Sequence, residues 1–329
     1  MRHDQTTPSH AALLALAVAA TIASSTIPTL AGTTTIFAPG VTTEKGWYDV
    51  NKKSTQTSQY SDLNMCWAAV SSNLLQYWQD QYSAAGNEIS LNTPNGAGTK
   101  TYADKHGPYE LAIFESYMDN WDLSVPGQIF MGIAWYFSGT YPNYSTSSKP
   151  KTTNSGGFFK EEYSSFQEQW GNDFATKDNS GYSIWGQGST NSLSPLTIFS
   201  ECISDTLKNG AGAINFNTGL YGGGHTVTLW GADFDAAGIV SAVYVTDSDD
   251  RATTLGNPKL QKYTITSDES KREIYLSGYN PEASYGNLLI TGYYGLPVYI
   301  IPEPSMFSLP AGIGVLGVVV SRRRHSRRI

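Results

Sequence analysis

Residues 225–249 read HTVTLWGADFDAAGIVSAVYVTDSD. Thr226 to Trp230 and Val240 to Thr246 are rich in β-branched and apolar residues, and Asp235-Ala236-Ala237-Gly238 between them has turn chemistry. That pattern predicts an antiparallel hairpin. A hairpin centred on residues 236–237 sets His225 opposite positions 247 to 249. Asp247 and Asp249 share one face there, and Ser248 takes the other. A strict two-residue loop would put Ser248 against the histidine, whereas a bulged or three-residue turn returns an aspartate to it.

Working outward, further short strands are expected near residues 259–266 and 287–300. Upstream the period is helical. Residues 65–82 place Val70, Leu74 and Tyr77 on one face, with Ser61, Asp62 and Asn64 as candidate N-caps. A second helix is expected from Glu110 to about Trp121. A third runs from Pro195 to Lys208, with Ser194 as cap, Pro195 in the first turn and Gly210 as stop. The polar, glycine-rich stretches Ser138 to Gly157 and Gly171 to Ser194 read as long loops within one domain. Helices first and antiparallel strands later predict an α+β fold.

The chain of 329 residues is 40% hydrophobic and 15% charged, which suits a packed core and excludes a disordered chain. The net charge of -7 includes Arg2, Arg322, Arg323, Arg324, Arg327 and Arg328 at the two ends. Without the ends the remainder is more acidic still, so nucleic acid is not an expected partner. Zinc-ligand clusters, phosphate loops and dinucleotide fingerprints are absent. Asp233-x-Asp235 and Asp247-x-Asp249-Asp250 lack the spacing of an EF-hand. No metal and no cofactor is expected.

The chemistry narrows by elimination. There are two cysteines and five histidines. His3, His10 and His325 lie in the terminal segments, and His106, before Gly107-Pro108, reads as a surface loop residue. His225 follows Gly222-Gly223-Gly224, which would allow close approach of another chain. Cys66 sits at the first turn of its helix, where the dipole and free amides favour a thiolate. Cys202 shares a helix face with Leu196, Phe199 and Ile203 and reads as an inert buried cysteine. The competing expectation is a Cys66–Cys202 disulfide, which would abolish the nucleophile. Cys66 as nucleophile, His225 as base and Asp247 or Asp249 as its orienter form a hydrolytic set.

Both ends carry export signals. Arg2, the apolar run Ala11 to Ala20 and the small-residue exit at Leu30-Ala31-Gly32 predict a secretory signal over residues 1–31. At the other end, Ile301-Pro302-Glu303-Pro304-Ser305, the apolar stretch Met306 to Val320 and an arginine cluster resemble the PEP-CTERM sorting tail of Gram-negative bacteria. The resemblance implies recognition by an exosortase-type sorting enzyme and a chain that touches the membrane only through this tail, residues 301–329. A plain membrane anchor is the alternative.

Gly46-Trp47-Tyr48-Asp49-Val50-Asn51-Lys52, the helix around Cys66, the stretch His225 to Asp249 and a shorter echo at Gly156-Gly157-Phe158-Phe159 resemble the IgG-degrading cysteine endopeptidases of the IdeS/Mac family. The resemblance runs, with gaps, from about Gly40 to about residue 295. It implies a papain-like fold over residues 32–300, with the nucleophile helix in an N-terminal helical part and a C-terminal antiparallel sheet. It implies a protein substrate and a set made of Cys66, His225, Asp247, the supporting Asp249, and Lys52, whose fixed charge would serve an oxyanion hole. Trp67 stands where the family has glycine, the spacer from Lys52 to Cys66 is longer, and residues 85–195 match poorly. The leading expectation is an exported cysteine endopeptidase. An acyltransferase or transglutaminase-like enzyme would use the same groups with an amine acceptor, and a surface-binding module would not need them.

Overall fold

The computed structural model describes residues 32–52, 62–98, 111–141, 147–152, 155–163, 194–217, 224–249, 260–279 and 287–298. The expected signal at 1–31, the tail at 301–329, His106, the candidate cap Ser61 and most of the stretch Gly171 to Ser194 lie outside the described residues. The elements below belong to the compact unit that begins at Thr33.

In chain order they are β1 (Thr34–Phe37), α1 (Cys66–Ala84), α2 (Ala112–Asn120), α3 (Ile129–Ser138), α4 (Pro195–Asn209), β2 (Gly210–Asn217), β3 (Gly224–Phe234), β4 (Val240–Thr246), β5 (Gln261–Asp268), β6 (Glu273–Ser277) and β7 (Asn287–Pro297). The fold is α+β. All strand pairings are antiparallel. The sheet order is β1-β3-β2-β7-β6-β5-β4, and a further β3–β4 pairing closes it on itself. β3 makes this possible by its length. Its first half pairs with β2 and its second half with β1, while β4 takes part of its other edge. Closure of this kind removes exposed edges from a β-rich protein.

The 225–249 hairpin forms as its pattern predicts. Asp235 carries the turn: its Oδ1 accepts from the amides of Ala237 and Ile239, both at 2.9 Å. Gly238 has φ of 78°, a backbone state that favours glycine. The register shifts between Leu229 and Gly231 and again between Asp233 and Phe234, so the turn is of the bulged kind. The ladder ends at Thr228–Thr246. Continued by alternation, it sets His225 level with Asp249 and excludes the register that would place Ser248 there.

α1 is enclosed on nearly every side rather than along one face: Trp67 through Gln79 are all buried. Its polar side chains therefore find partners inside. Ser71 and Ser72 donate to the carbonyls of Trp67 and Ala68, each at 2.7 Å. Asn73 donates to Thr228 on β3 at 2.9 Å and accepts from the Val50 amide at 3.1 Å. Gln79 donates to Tyr136 of α3 at 2.7 Å. These bonds lock the helix to the sheet, to α3 and to the 47–52 segment, although Gln79 Oε1 and the indole nitrogens of Trp67 and Trp78 are buried without a hydrogen-bond partner among the described residues.

Several expectations are corrected. Neither Asp62 nor Asn64 caps α1. Met65 holds the N-cap position without a side-chain bond, because Asn64 instead turns its amide to the carbonyls of Leu123 and Ser124. The second helix is shorter than 110–121 at both ends. α3 was not expected, and its residues Ile129–Phe137 are all buried. An element covered on all sides has no amphipathic period to reveal it. Its last residue, Ser138, opens the stretch read as a long loop, and the chain at the far end of that stretch lies against the helix. The amides of Gly157, Phe158 and Phe159 donate to the carbonyls of Trp135, Tyr136 and Phe137 at 2.9–3.0 Å. β1 shows that the sheet also recruits the N-terminal part of the chain. Gly210 does stop α4, and it does so by starting β2. Ser194 caps α4 by accepting from the Thr197 amide at 3.2 Å, with Pro195 in the first turn.

Candidate active site

Five segments converge on one point. α1 delivers Cys66 as its first residue. β3 delivers His225 as its second. The chain leaving β4 delivers Asp247 and Asp249. The 47–52 segment runs beside β4, with Thr246 Oγ1 donating to the Tyr48 carbonyl at 2.8 Å and the Lys52 amide donating to the Ser248 carbonyl at 2.7 Å. Lys52 is thus tied to the same turn that carries the two aspartates. The fifth segment, beyond β6, brings Tyr279.

His225 is buried, as are Asp247 and Lys52. Its Nε2 lies 2.7 Å from Asp247 Oδ1. Its other nitrogen, Nδ1, is the one left for the Cys66 thiol, with which the ring shares a hydrogen bond. Asp249 Oδ2 lies 3.5 Å from Nδ1. Asp249 Oδ1 lies 3.0 Å from Lys52 Nζ, which also donates to the Leu63 carbonyl at 3.0 Å. Asp247 is saturated: its Oδ1 also accepts from the Asp249 amide at 2.9 Å, and its Oδ2 accepts from the Tyr279 hydroxyl at 2.5 Å.

The two aspartates that the hairpin left as alternatives therefore do different things. Asp247 grips the histidine, and Asp249 bridges the histidine and the lysine. The pairing with Asp247 crosses the strict register because the ladder has ended and the chain turns at 247–249.

The charges follow from this arrangement. Burial alone would push the Cys66 thiol up, but the hydrogen bond to His225 and the nearby Lys52 charge outweigh it and hold the thiol below its ordinary value, against some opposition from Asp249. Burial alone would favour neutral His225, yet the Asp247 charge and hydrogen bond, with help from Cys66, push it up to about 10. Asp247 itself is held below the ordinary carboxylate range: burial works against this, and the His225 charge outweighs it. Lys52 stays protonated. Burial opposes its charge, and the neighbouring Cys66, Asp249 and Asp62 charges more than compensate. A thiolate–imidazolium pair flanked by carboxylates and a lysine is the state these fields favour. Such a pair can attack a carbonyl and then protonate a leaving group.

Cys66 and Cys202 are both free, so the disulfide alternative is overturned. Cys202 is half-buried on α4, and its thiol is pushed up, chiefly by burial. No group of residues suited to a metal ion occurs among the described residues.

Two neighbours were not anticipated from sequence. Phe216 on β2 pairs in register with His225 and presents its ring at 5.3 Å and 72° to the imidazole. Tyr279 lies 5.0 Å from Phe216, ring to ring. Neither has a local motif to mark it: Phe216 reaches the histidine through the β2–β3 pairing, and the closed sheet brings the β6 exit to it.

A model of the Mac-1 family matches residues 30–117 and 197–289. The chain belongs to the Mac-1 family. The two matched blocks hold Lys52, Cys66, His225, Asp247, Asp249 and also Tyr279, so every group described at this site falls within the Mac-1 region. The unmatched interval holds α3 and the segment that lies against it. The IgM protease of Streptococcus suis (strain P1/7) is 28% identical over 236 residues, which span 69% of this chain and 19% of that protein. This Mac-1 chain thus aligns with about a fifth of that relative's length.

Proposed function

We propose that the protein is a cysteine endopeptidase of papain-like fold, with Cys66 as nucleophile, His225 as acid and base, Asp247 as the group that orients the imidazole, and Lys52 in the oxyanion hole. The observation that carries this reading is the Cys66–His225–Asp247 relay at the mouth of α1, where the thiol is held below its ordinary value.

In this mechanism the Cys66 thiolate attacks the scissile carbonyl carbon, and the carbonyl π electrons move onto oxygen. The developing oxyanion is stabilised by the Lys52 charge and by the first amides of α1, which carry no side-chain cap. His225 then gives its Nδ1 proton to the leaving amine as the C–N bond breaks, leaving a thioester on Cys66. Neutral His225 next takes a proton from water, the hydroxide attacks the thioester, and the C–S bond breaks to release the acid product and restore the Cys66 thiolate beside protonated His225. Asp247 keeps Nε2 protonated throughout, so Nδ1 is always the nitrogen that works. Asp249 holds Lys52 in place.

The substrate class is a protein, and an immunoglobulin is the first choice, since the Streptococcus suis relative is described as an IgM protease. An exported enzyme in a Gram-negative envelope, with residues 1–31 as the signal and 301–329 as a tail taken by an exosortase-type sorting enzyme, fits such a substrate. The test is mass spectrometry of new termini after incubating the full chain with IgM, IgG and an unrelated protein mixture. The reading expects discrete cuts that vanish in both Cys66→Ala and His225→Ala. Cuts that survive either change, or acyl transfer to an added amine in place of hydrolysis, would overturn it.

A further inference from the structure

Asp247 is 2% exposed, so water has almost no access to it. A buried carboxylate needs all its acceptor positions filled from within the protein. Oδ1 is served by His225 and by the Asp249 amide. Oδ2 receives the phenol of Tyr279 at 2.5 Å. A short, charge-assisted bond of this kind fixes the rotation of the carboxylate about its Cβ–Cγ bond, and that rotation determines where Oδ1 sits against the histidine.

Tyr279 is itself held firmly. It follows Gly278, whose φ of 83° turns the chain at the end of β6. Its ring packs against Phe216 at 5.0 Å and against Tyr263 at 5.4 Å. Phe216 in turn stands edge-on to His225. One aromatic wall therefore braces both the imidazole and the phenol that steadies the imidazole's partner. Burial and the Asp247 charge keep the phenol protonated well into alkaline conditions, so it remains a donor wherever the enzyme works.

We propose that Tyr279 is a positioning residue that acts through Asp247, holding the carboxylate in the orientation that aims His225 at Cys66. This inference rests on the peptidase reading of the same site. It assigns Tyr279 no contact with substrate.

The phenol stabilises ionised Asp247, so its loss lets Asp247 take a proton at higher pH and weakens the thiolate–imidazolium pair. The experiment compares the full chain with Tyr279→Phe, Asp247→Ala and the double variant, reading the pH profile of Cys66 alkylation by iodoacetamide beside kcat and KM. Tyr279→Phe is expected to lower kcat roughly 10- to 100-fold with KM little changed, and to move the acid limb of alkylation to higher pH. In the Asp247→Ala background the same change should do nothing more, which a merely structural role would not produce. An acid limb unmoved by Tyr279→Phe, or an effect that persists without Asp247, overturns the inference while leaving the peptidase reading standing. Absence of any acid limb in the unaltered protein overturns both. If Tyr279→Phe does not fold, the proton NMR of the unaltered protein answers instead. A downfield hydroxyl resonance of Tyr279 that disappears in Asp247→Ala supports the bond, and its absence refutes it.

Discussion

Replacing Asp247 by alanine tests the electrostatics of the site without any substrate. His225 is 7% exposed and Asp247 is 2% exposed, so solvent screens the pair little. The imidazole rises from its ordinary 6.5 to about 10, with the Asp247 charge as the largest favourable cause. A difference of that size corresponds to on the order of 5 kcal/mol between the protonation states, and breaking a buried ion pair by removing one partner costs about 3–5 kcal/mol. The sign follows from linkage. A group whose pKa is raised by folding contributes stability that is complete below its unfolded value and is lost as pH rises through its folded value. For His225 that window runs from 6.5 up to about 10. Asp247, held low, contributes above its unfolded value and loses its share as pH falls. The assay is urea unfolding of Cys66→Ala and of Cys66→Ala/Asp247→Ala from pH 4 to pH 10, a background that removes self-digestion and the thiol's own titration. The expected penalty at pH 7 is roughly 3–5 kcal/mol, shrinking as pH rises through the folded value of His225, which in the Cys66→Ala background lies below 10 because the contribution of the thiol is gone. A penalty below about 1 kcal/mol at pH 7, in the range of a surface pair, or one that holds unchanged to pH 10, would mean that the folded protein keeps His225 neutral and that the reasoning is wrong.

Four further outcomes follow from other contacts. Lys52→Met should raise the Cys66 thiol and free Asp249 to compete for His225 Nδ1, lowering kcat/KM at least tenfold. Lys52→Arg should rescue poorly, because a planar guanidinium does not fit a point-charge site. Gly132→Ala should lower stability by about 1–3 kcal/mol in thermal melts, since a Cβ there would stand 2.7 Å from the Trp67 ring and 3.2 Å from Ser71 Oγ, with both residues buried. Asp235→Ala should cost about 0.5–1.5 kcal/mol in urea unfolding by freeing two turn amides, with proteolysis unchanged because the turn lies at the far end of the hairpin from His225.

What could be read in the sequence was what is local or set by a single pairing. The Ser194-Pro195 start of α4 is a local signal, and it is present as expected. The 225–249 hairpin needs one turn and two runs, and its bulge decided among the registers that spacing left open. α1 was visible, but its cap was not, because Asn64 is used by the Leu123–Ser124 backbone instead. α3 and β2 were hidden for one reason. Both are buried nearly all round, so neither the 3.6-residue nor the two-residue period appears. At the site, Cys66 and His225 emerged by elimination and Lys52 only by resemblance, since a lysine side chain 2% exposed has no signature in a stretch such as YDVNK. Tyr279 was beyond reach. One tyrosine among 21 gains its role only when closure of the sheet brings the β6 exit beneath Asp247.

The reactivity of the two cysteines tests the thiolate at the mouth of α1 most directly. Treating the full chain with substoichiometric iodoacetamide at pH 6, followed by peptide mapping, compares a thiol held low by His225 and Lys52 with one pushed up by burial. Carbamidomethylation of Cys66 is expected with Cys202 left unmodified, together with loss of the Cys66 label in His225→Ala. Equal labelling of both, preference for Cys202, or a Cys66 label indifferent to His225 would rule out a thiolate held at Cys66 by the imidazole.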